Sequence, residues 1–284
     1  MLNETIDFER IYALWDELAD FEVSRMPAAR VHLLSAVCNM IDARQADWIG
    51  AVRLVDNMHR DPLFGWRPRC LSALYPDNQT ARIIQEAFAL MEQGTPDITT
   101  IRNAELAGKF RVFMLHQLAT PEWFESYAYK TFYRGIDRLD SIWVGIPINA
   151  DAEIQVGFHR ALSQSPFSER DRQVVSHALR GIRWFYRLQM LSEGIGVASE
   201  PLTPMEGNVL QGLLQGLSER KIAETNGQSP HTVHDHVKRI YRKYSVSSRS
   251  ALMALWLGEI PPEQGIPNST ELNDKHSRNR ISQS

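Results

Sequence analysis

Residues 230–244 of this 284-residue chain read PHTVHDHVKRIYRKY, which sets histidines, a carboxylate and four cations close together. Wound as a helix, the segment puts Val233, Val237, Ile240 and Tyr244 on one stripe. His231, Asp235, Lys238, Arg239 and Arg242 fall opposite. Such a face fits the major groove of duplex DNA, about 12 Å wide, where Lys and Arg reach phosphates or guanine edges. The plainer alternative is a charged face in water. The HxxHxH spacing invites a metal on paper. On one helix, however, His231 and His234 are neighbours while His236 points away from His234, so the three do not converge on an ion. No GxSxG, HExxH, CxxC or GxxxxGK[ST] occurs in the chain, so the common nucleophilic, zinc, dithiol and nucleotide-loop chemistries have no site. Neither an enzyme nor a bound cofactor is expected.

The elements that would hold such a helix fit an ordinary globular composition, with 43% hydrophobic and 23% charged residues. No apolar run reaches the ~18 residues that a membrane-spanning helix needs. Cys38 and Cys70 are too few and too far apart for a disulfide framework or a metal knuckle. The opening MLNETIDFER is acidic and amphipathic where a signal peptide is basic and then apolar. A cytoplasmic location is expected. Charge is uneven: residues 1–202 hold 21 Lys+Arg against 26 Asp+Glu, whereas 203–258 hold 7 against 4. An acidic body with a small basic module is one arrangement that nucleic-acid binding produces.

The first ~190 residues mix helical and strand periodicities, which predicts an α+β domain over 1–191. Ile11, Leu14, Trp15, Leu18 and Phe21 recur at helical spacing, as do Val31, Leu34 and Val37 to Ile41. Segment 47–56 reads as a strand and 79–93 as a helix ended by Gly94. Pro121 opens a helix PEWFESYAYKTFY, closed by Gly135. Residues 142–148 and 154–158 alternate like the arms of a hairpin. Ser168 caps a long helix over 169–191 carrying Val175, Leu179, Ile182 and Tyr186. Residues 192–202 lose periodicity and read as a linker, and 259–284 as a disordered tail.

Between 203 and 258 the punctuation is explicit. Thr203-Pro204-Met205-Glu206 is a capping box with proline at the first helical position. Val209, Leu210, Leu213, Leu214 and Leu217 form an apolar face that Gly216 ends. Ser218 starts a second helix, Asn226-Gly227 turns, Ser229-Pro230 starts a third, and Ser247 or Ser248 a fourth with Leu252, Leu255 and Trp256. The second and third have the layout of a helix-turn-helix.

This block resembles the LuxR/NarL (GerE-like) family of bacterial helix-turn-helix regulators. The matching pieces are Leu202-Thr203, Glu206, Val209-Leu210, Gly216, Ser218, Ile222-Ala223, Ser229, Thr232-Val233, His236, Ile240-Tyr241, Lys243, Val246 and Arg249. The resemblance implies that 230–244 is the recognition helix. It implies base or phosphate contacts for His234, Asp235 and Lys238, and backbone contacts for Ser229 and Thr232, with Arg220 and Lys221 flanking. A homodimer on a roughly palindromic operator follows from the fourth helix, where relatives often dimerise, and RNA polymerase becomes a candidate partner. The chain departs from the family at Asn226 and Gln228, which replace apolar residues, at Met205, and at Tyr244-Ser245. Asp235 in the groove can only accept, for instance from cytosine N4.

Members of that family differ in what precedes this module. A phosphoacceptor domain matches poorly, since Asp56 ends a strand alone and Lys109 is the only lysine in the first ~120 residues. The order of elements, with PFSERDRQ at 166–173 as its best piece, is similar to a GAF/PAS-type sensor domain for a small-molecule effector. The acyl-homoserine-lactone receptors are the alternative: Trp48 and Asp61-Pro62 sit at suitable spacing, but Val52 holds the tyrosine position. A constitutive DNA binder whose N-terminal domain only dimerises is a further reading. Trp48, Trp66, Trp123, Tyr127, Tyr133 and Trp143 are candidate ligand-box residues, or they simply fill a core. Arg67 and Arg69 of GWRPR bind an anion or pair with local carboxylates.

Overall fold

The computed structural model of the protein describes residues 5–53, 61–149, 151–193 and 202–257. The chain divides into two compact units between Val197 and Ala198. Most of the expected linker, the expected tail 259–284 and the side chain of Trp256 lie outside the described residues. No described helix is long and apolar enough to cross a membrane.

Unit 1 begins with helices α1 (Phe8–Ala19) and α2 (Met26–Ile41), then strands β1 (Gln45–Arg53) and β2 (Trp66–Ala73). Helices α3 (Asn78–Glu92) and α4 (Ile98–Glu105) follow, then β3 (Arg111–Met114), α5 (Leu115–Leu118) and α6 (Tyr127–Phe132). The hairpin β4 (Asp140–Pro147) and β5 (Ala152–Arg160) leads to α7 (Glu169–Arg180) and α8 (Arg183–Glu193). The strands form one sheet in the order β2-β1-β5-β4-β3, and every neighbouring pair is antiparallel. Short polar side chains start the helices: Asp7, Asp77 and Asp97 accept backbone N–H bonds at the first turns of α1, α3 and α4, and Ser168 forms a reciprocal cap with Asp171.

Strand alternation places Ile142, Val144, Ile146, Ile154, Val156 and Phe158 on one buried face. That face packs with Ile11, Leu14, Leu33, Val37, Val175 and Phe185 of the helices before and after it, as the main core. The opposite face is covered by α3 and α4, so the sheet is buried on both sides.

Three expectations need correction. Val31 is 47% exposed, and the buried stripe of α2 is Leu33, Leu34, Val37 and Ile41 instead. The helix opened by Pro121 breaks at Ser126, whose hydroxyl caps α6 and leaves a 3-10 turn at Pro121–Glu125. The long helix 169–191 is two helices. Trp15 Nε1 donates to Ala178 O at 2.8 Å, occupying the carbonyl that the Ile182 N–H would use in a continuous helix. The ring lies so close that a Cβ at Gly181 would meet Trp15 Cη2 at 2.5 Å. Val175, Leu179, Ile182 and Tyr186 stay buried across the break.

Unit 2 holds α9 (Pro204–Leu214), α10 (Glu219–Asn226), α11 (Pro230–Lys243) and α12 (Arg249–Leu257). Thr203 and Glu206 cap each other, Ser218 and Ser229 cap α10 and α11, and Gly227 turns the chain at φ 64°. Val209, Leu210, Ile222, Val233, Ile240 and Leu252 fill the centre of this bundle. The whole is α+β in unit 1 and all-helical in unit 2.

Gly181→Ala forces Trp15 aside and is expected to destabilise unit 1 by about 1–3 kcal/mol. Gly207→Ala, in α9 with nothing within 4 Å of the added carbon, stabilises unit 2 by up to about 1 kcal/mol. Urea unfolding of the full chain measures both.

Candidate functional site

The second face of the unit 1 sheet lines a half-open pocket of about 110 Å³. Ile49, Leu71 and Trp143 give its floor, Ile83, Ile84, Ala87, Phe88 and Met91 of α3 its roof, and Asp47, Asn103, Tyr133, Arg138 and Gln155 its polar wall. Of the six aromatic candidates, Tyr133 and Trp143 line it, and the Trp143 indole N–H donates to the Tyr133 hydroxyl at 3.2 Å. The other four stand outside this pocket. Trp48 follows Asp47 along β1 and so faces the opposite side, with its ring centroid 6.3 Å from Phe185 and 5.9 Å from Tyr186. Trp66 is buried under the Arg53 guanidinium. Trp123 is the centre of a separate cluster with Leu115, Tyr129 and Tyr133. Tyr127 is 66% exposed and donates to Glu86.

Asp61, the other half of the lactone-receptor spacing, is bound by Arg67 at 2.8 Å and by the N–H groups of Leu63 and Gly65. It closes its own loop and does not line the cavity. Arg67 and Arg69 of GWRPR both pair with Glu92, the local-carboxylate alternative. Burial pushes the Cys38 thiol up to about 12, with the Asp47 charge adding to it, and takes Cys70 higher still. Neither is a reactive thiolate near neutrality.

Sequence reasoning passed over Asp47, Arg138, Ser141 and His159, a buried polar network of which Asp47 and Arg138 line the pocket. Arg138 Nη2 donates to Asp47 Oδ2 at 2.8 Å, and His159 Nε2 reaches the same oxygen at 3.0 Å. Burial works to raise the Asp47 pKa, but Arg138 and His159 outweigh it and hold the carboxyl well below the usual carboxylate range. Burial, reinforced by the Arg138 charge, brings His159 down to about 4, so near neutrality its ring is uncharged. An ionised carboxylate accepts only, so the proton sits on Nε2, and Nδ1 accepts from Ser141 Oγ at 2.8 Å. Asp47 Oδ1 is buried with no hydrogen-bond partner among the described residues. The available signal was a carboxylate inside an apolar strand, one residue before a buried tryptophan.

In unit 2 the basic residues separate by duty. Lys243 reaches the buried Glu206 at 2.8 Å, and Arg249 donates to the carbonyls of Leu213 and Leu217, so both hold the bundle together. Lys238, Arg239 and Arg242 are exposed on α11, opposite the buried Val233, Val237, Ile240 and Tyr244. Lys238 and Arg242 make no side-chain hydrogen bond or ion pair among the described residues, while Arg239 Nε donates to Asp235 O at 3.3 Å. His231 lies 3.9 Å from Asp235 at the start of the same face. His234 Nδ1 sits 3.0 Å from Glu219 of α10, tying the two helices. Ser229 accepts from the Thr232 N–H at 3.1 Å and bonds its hydroxyl at 2.8 Å. Arg220 and Lys221 project from α10 with Glu224 between them. Asn226 Nδ2, Gln228 Oε1 and His236 Nδ1 are buried without partners among the described residues, so the two turn substitutions carry a desolvation penalty.

Residues 200–256 match the family of bacterial regulatory proteins of the luxR type, GerE. Unit 2 is a LuxR-family helix-turn-helix domain. No curated protein matches the chain significantly. Among solved structures, SdiA in complex with octanoyl-rac-glycerol is similar at 12% identity and a TM-score of 0.45, over 90% of this chain and 96% of that one. Escherichia coli SdiA is similar at 15% identity and 0.45, over 89% and 99%. The VqsR LBD domain from Pseudomonas aeruginosa is similar at 13% and 0.39, over 61% and 88%. Values this low transfer no ligand to this chain.

Because Lys238 and Arg242 are exposed on α11, Lys238→Ala and Arg242→Ala are expected to leave unfolding unchanged, and, on the expectation that this face meets DNA, to weaken DNA binding. Each cation that no longer neutralises a phosphate reduces the slope of log affinity against log salt by about 1. Fluorescence anisotropy across a salt series measures it, and an unchanged slope in both variants counts against phosphate binding by this face.

A pH dependence follows from His159. Its folded-state pKa of about 4 lies below the ordinary 6.5, so the unfolded chain binds the extra proton between these values. Unit 1 therefore has its full stability above pH 6.5 and loses it as pH falls toward 4. Below that, Asp47, whose pKa is also lowered, adds to the loss. Urea midpoints followed by tryptophan fluorescence between pH 7.5 and 4.5 show the decline, and His159→Asn flattens it.

Proposed function

We propose that this LuxR-type DNA-binding regulator is controlled by a small molecule held in the unit 1 cavity. One observation carries the reading: a pocket of about 110 Å³ has an apolar roof, an aromatic floor and a few polar side chains, Asp47, Asn103, Tyr133, Arg138 and Gln155, on its wall. Small-molecule sites combine apolar walls with a few placed polar groups in this way. Tyr133, Trp143 and Asp47 are its ligand-facing residues. A ligand that prefers one state of unit 1 shifts the population toward it, and the response is bounded by its differential affinity for the two states.

The five-stranded antiparallel sheet with helices on both faces supports a GAF/PAS-like sensor. On DNA the chain acts as a homodimer reading a roughly palindromic operator through α11, with RNA polymerase as a further partner. Its DNA contacts come from Arg220, Lys221, Ser229, His231, Thr232, His234, Asp235, Lys238, Arg239 and Arg242. Its place is the bacterial cytoplasm, where that DNA is. A second reading, dimerisation without sensing, has support of its own: Phe8 and Tyr12, 40% and 47% exposed, stack on α1 with ring centroids 6.3 Å apart.

A thermal-shift screen of the full chain against a small-molecule library separates the two. Sensing predicts a compound that raises the unfolding midpoint, with a stabilisation of about 2.7 kcal/mol at a hundredfold excess over Kd. The same compound changes affinity for operator DNA selected from a random pool. Ala87→Phe fills the cavity and removes both effects. A library without a hit, together with unaltered DNA binding in Ala87→Phe, leaves only dimerisation.

A further inference from the structure

Resting on α11 as the DNA-reading helix, and not on sensing, we infer that Glu219 is a positioning residue for base readout. It orients His234 so that the ring's Nε2 accepts from the exocyclic amino group of an adenine or a cytosine. His234 stands one turn before Lys238 on the same side of α11, half exposed, where the cationic face borders α10. Its Nδ1 lies 3.0 Å from Oε2 of Glu219, in the first turn of α10, across the helix-turn-helix. A carboxylate accepts only, so Nδ1 carries the proton. In the neutral imidazole that leaves Nε2 as an acceptor, pointing away from Glu219.

This bond has little structural work to do. The helices α10 and α11 already pack together around the buried Ile222, Ala223, Val233 and Val237. At the turn, Gln228 N donates to Ala223 O at 2.9 Å. An ion pair this exposed adds little to stability. Nor is Glu219 held by its own helix: Arg220 and Lys221 reach Glu224 instead, at 3.6 and 3.2 Å. His234 is the ion-pair partner of Glu219 among the described residues. What the bond fixes is the ring. An untied imidazole turns about its side-chain torsions, whereas one tied at Nδ1 presents Nε2.

The acceptor adds a reading that the cations beside it lack. Lys238, Arg239 and Arg242 only donate, which suits phosphate oxygens and the O6 and N7 of guanine. The donors on the floor of the major groove are the adenine N6 and cytosine N4 amino groups. Asp235 also accepts, but with a full negative charge that the phosphates repel. A neutral His234 accepts without that repulsion.

Operators are first selected from a random DNA pool by the full wild-type chain and by His234→Ala, at pH 8.5, where neutral imidazole prevails. The base pair that His234→Ala no longer discriminates marks the contact. At that pair the amino group is then deleted, with purine in place of adenine or 2-pyrimidinone in place of cytosine. Affinities for both duplexes are measured for wild type, His234→Ala, Glu219→Ala and Glu219→Gln, as a double-mutant cycle. Deletion is expected to weaken wild type about three- to tenfold more than His234→Ala, the worth of one hydrogen bond. Glu219→Ala behaves like His234→Ala with its unfolding midpoint unchanged. Glu219→Gln, whose amide oxygen still accepts from Nδ1, keeps the wild-type loss. Identical selected sites for wild type and His234→Ala, equal losses in those two chains, or a wild-type loss retained in Glu219→Ala overturns the inference. Should wild type enrich no site and the salt slopes of Lys238→Ala and Arg242→Ala stay unchanged, the α11 reading itself fails and takes this inference with it.

Discussion

A sheet buried on both faces cannot leave polar side chains to water, and unit 1 is organised around that constraint. One face meets it mostly with hydrocarbon, Asp140 and Arg160 standing at its edge. On the other, the strands carry Asp47, Ser141, Glu153 and His159, all nearly or fully buried. Each therefore needs a partner inside the protein. Arg138 and His159 share Asp47, while Arg111 binds both oxygens of Glu153, at 2.9 and 2.7 Å, and gives its Nε to Asn103. Glycines make room for these groups: a Cβ at Gly145 would stand 2.2 Å from the Arg111 guanidinium carbon. Removing one partner of a buried ion pair strands the other, typically at about 3–5 kcal/mol. The networks thus tie the polar wall of the pocket into the sheet.

Unit 2 solves a smaller version of the same problem with different means. Its helices are too short to be stable alone, so capping and burial must do most of the work. Thr203, Ser218 and Ser229 satisfy the free N–H groups at three helix starts. Lys243 and Arg249 are drawn into the frame by Glu206 and by backbone carbonyls. What remains on the outer side of α11, Lys238 and Arg242 above all, pairs with no side chain among the described residues. Cations without internal partners on a rigid helix are what long-range attraction to a polyanion requires. The unpaired atoms of Asn226 and Gln228 beside the turn show that this domain is not tuned for stability alone.

Much of this was legible in the amino-acid order, for reasons that are local. The caps at Thr203, Ser218 and Ser229, the stripe of α11 and the hairpin of β4 and β5 each depend on residues within a few positions of one another. Periodicity and hydrogen-bonding geometry write such features directly into the chain. The helix break at Gly181 was not legible, because its cause is Trp15, far away in sequence. Val31 likewise follows the helical period yet faces outward, since the period fixes a spacing and not which neighbour covers it.

The sequence by itself determined that a cationic, amphipathic helix follows a short turn in the last third of the chain, and that a sheet-and-helix domain precedes it. It did so because those properties reside in near neighbours. Only the tertiary structure decided which aromatic side chains face the cavity and which fill the core. Trp48 and Asp47 are adjacent in the chain and lie on opposite faces of a sheet, and the face that encloses space is chosen by the packing of α3 and α4. The meeting of Asp47, Arg138 and His159 was likewise set by strand register, which pairs segments more than a hundred residues apart.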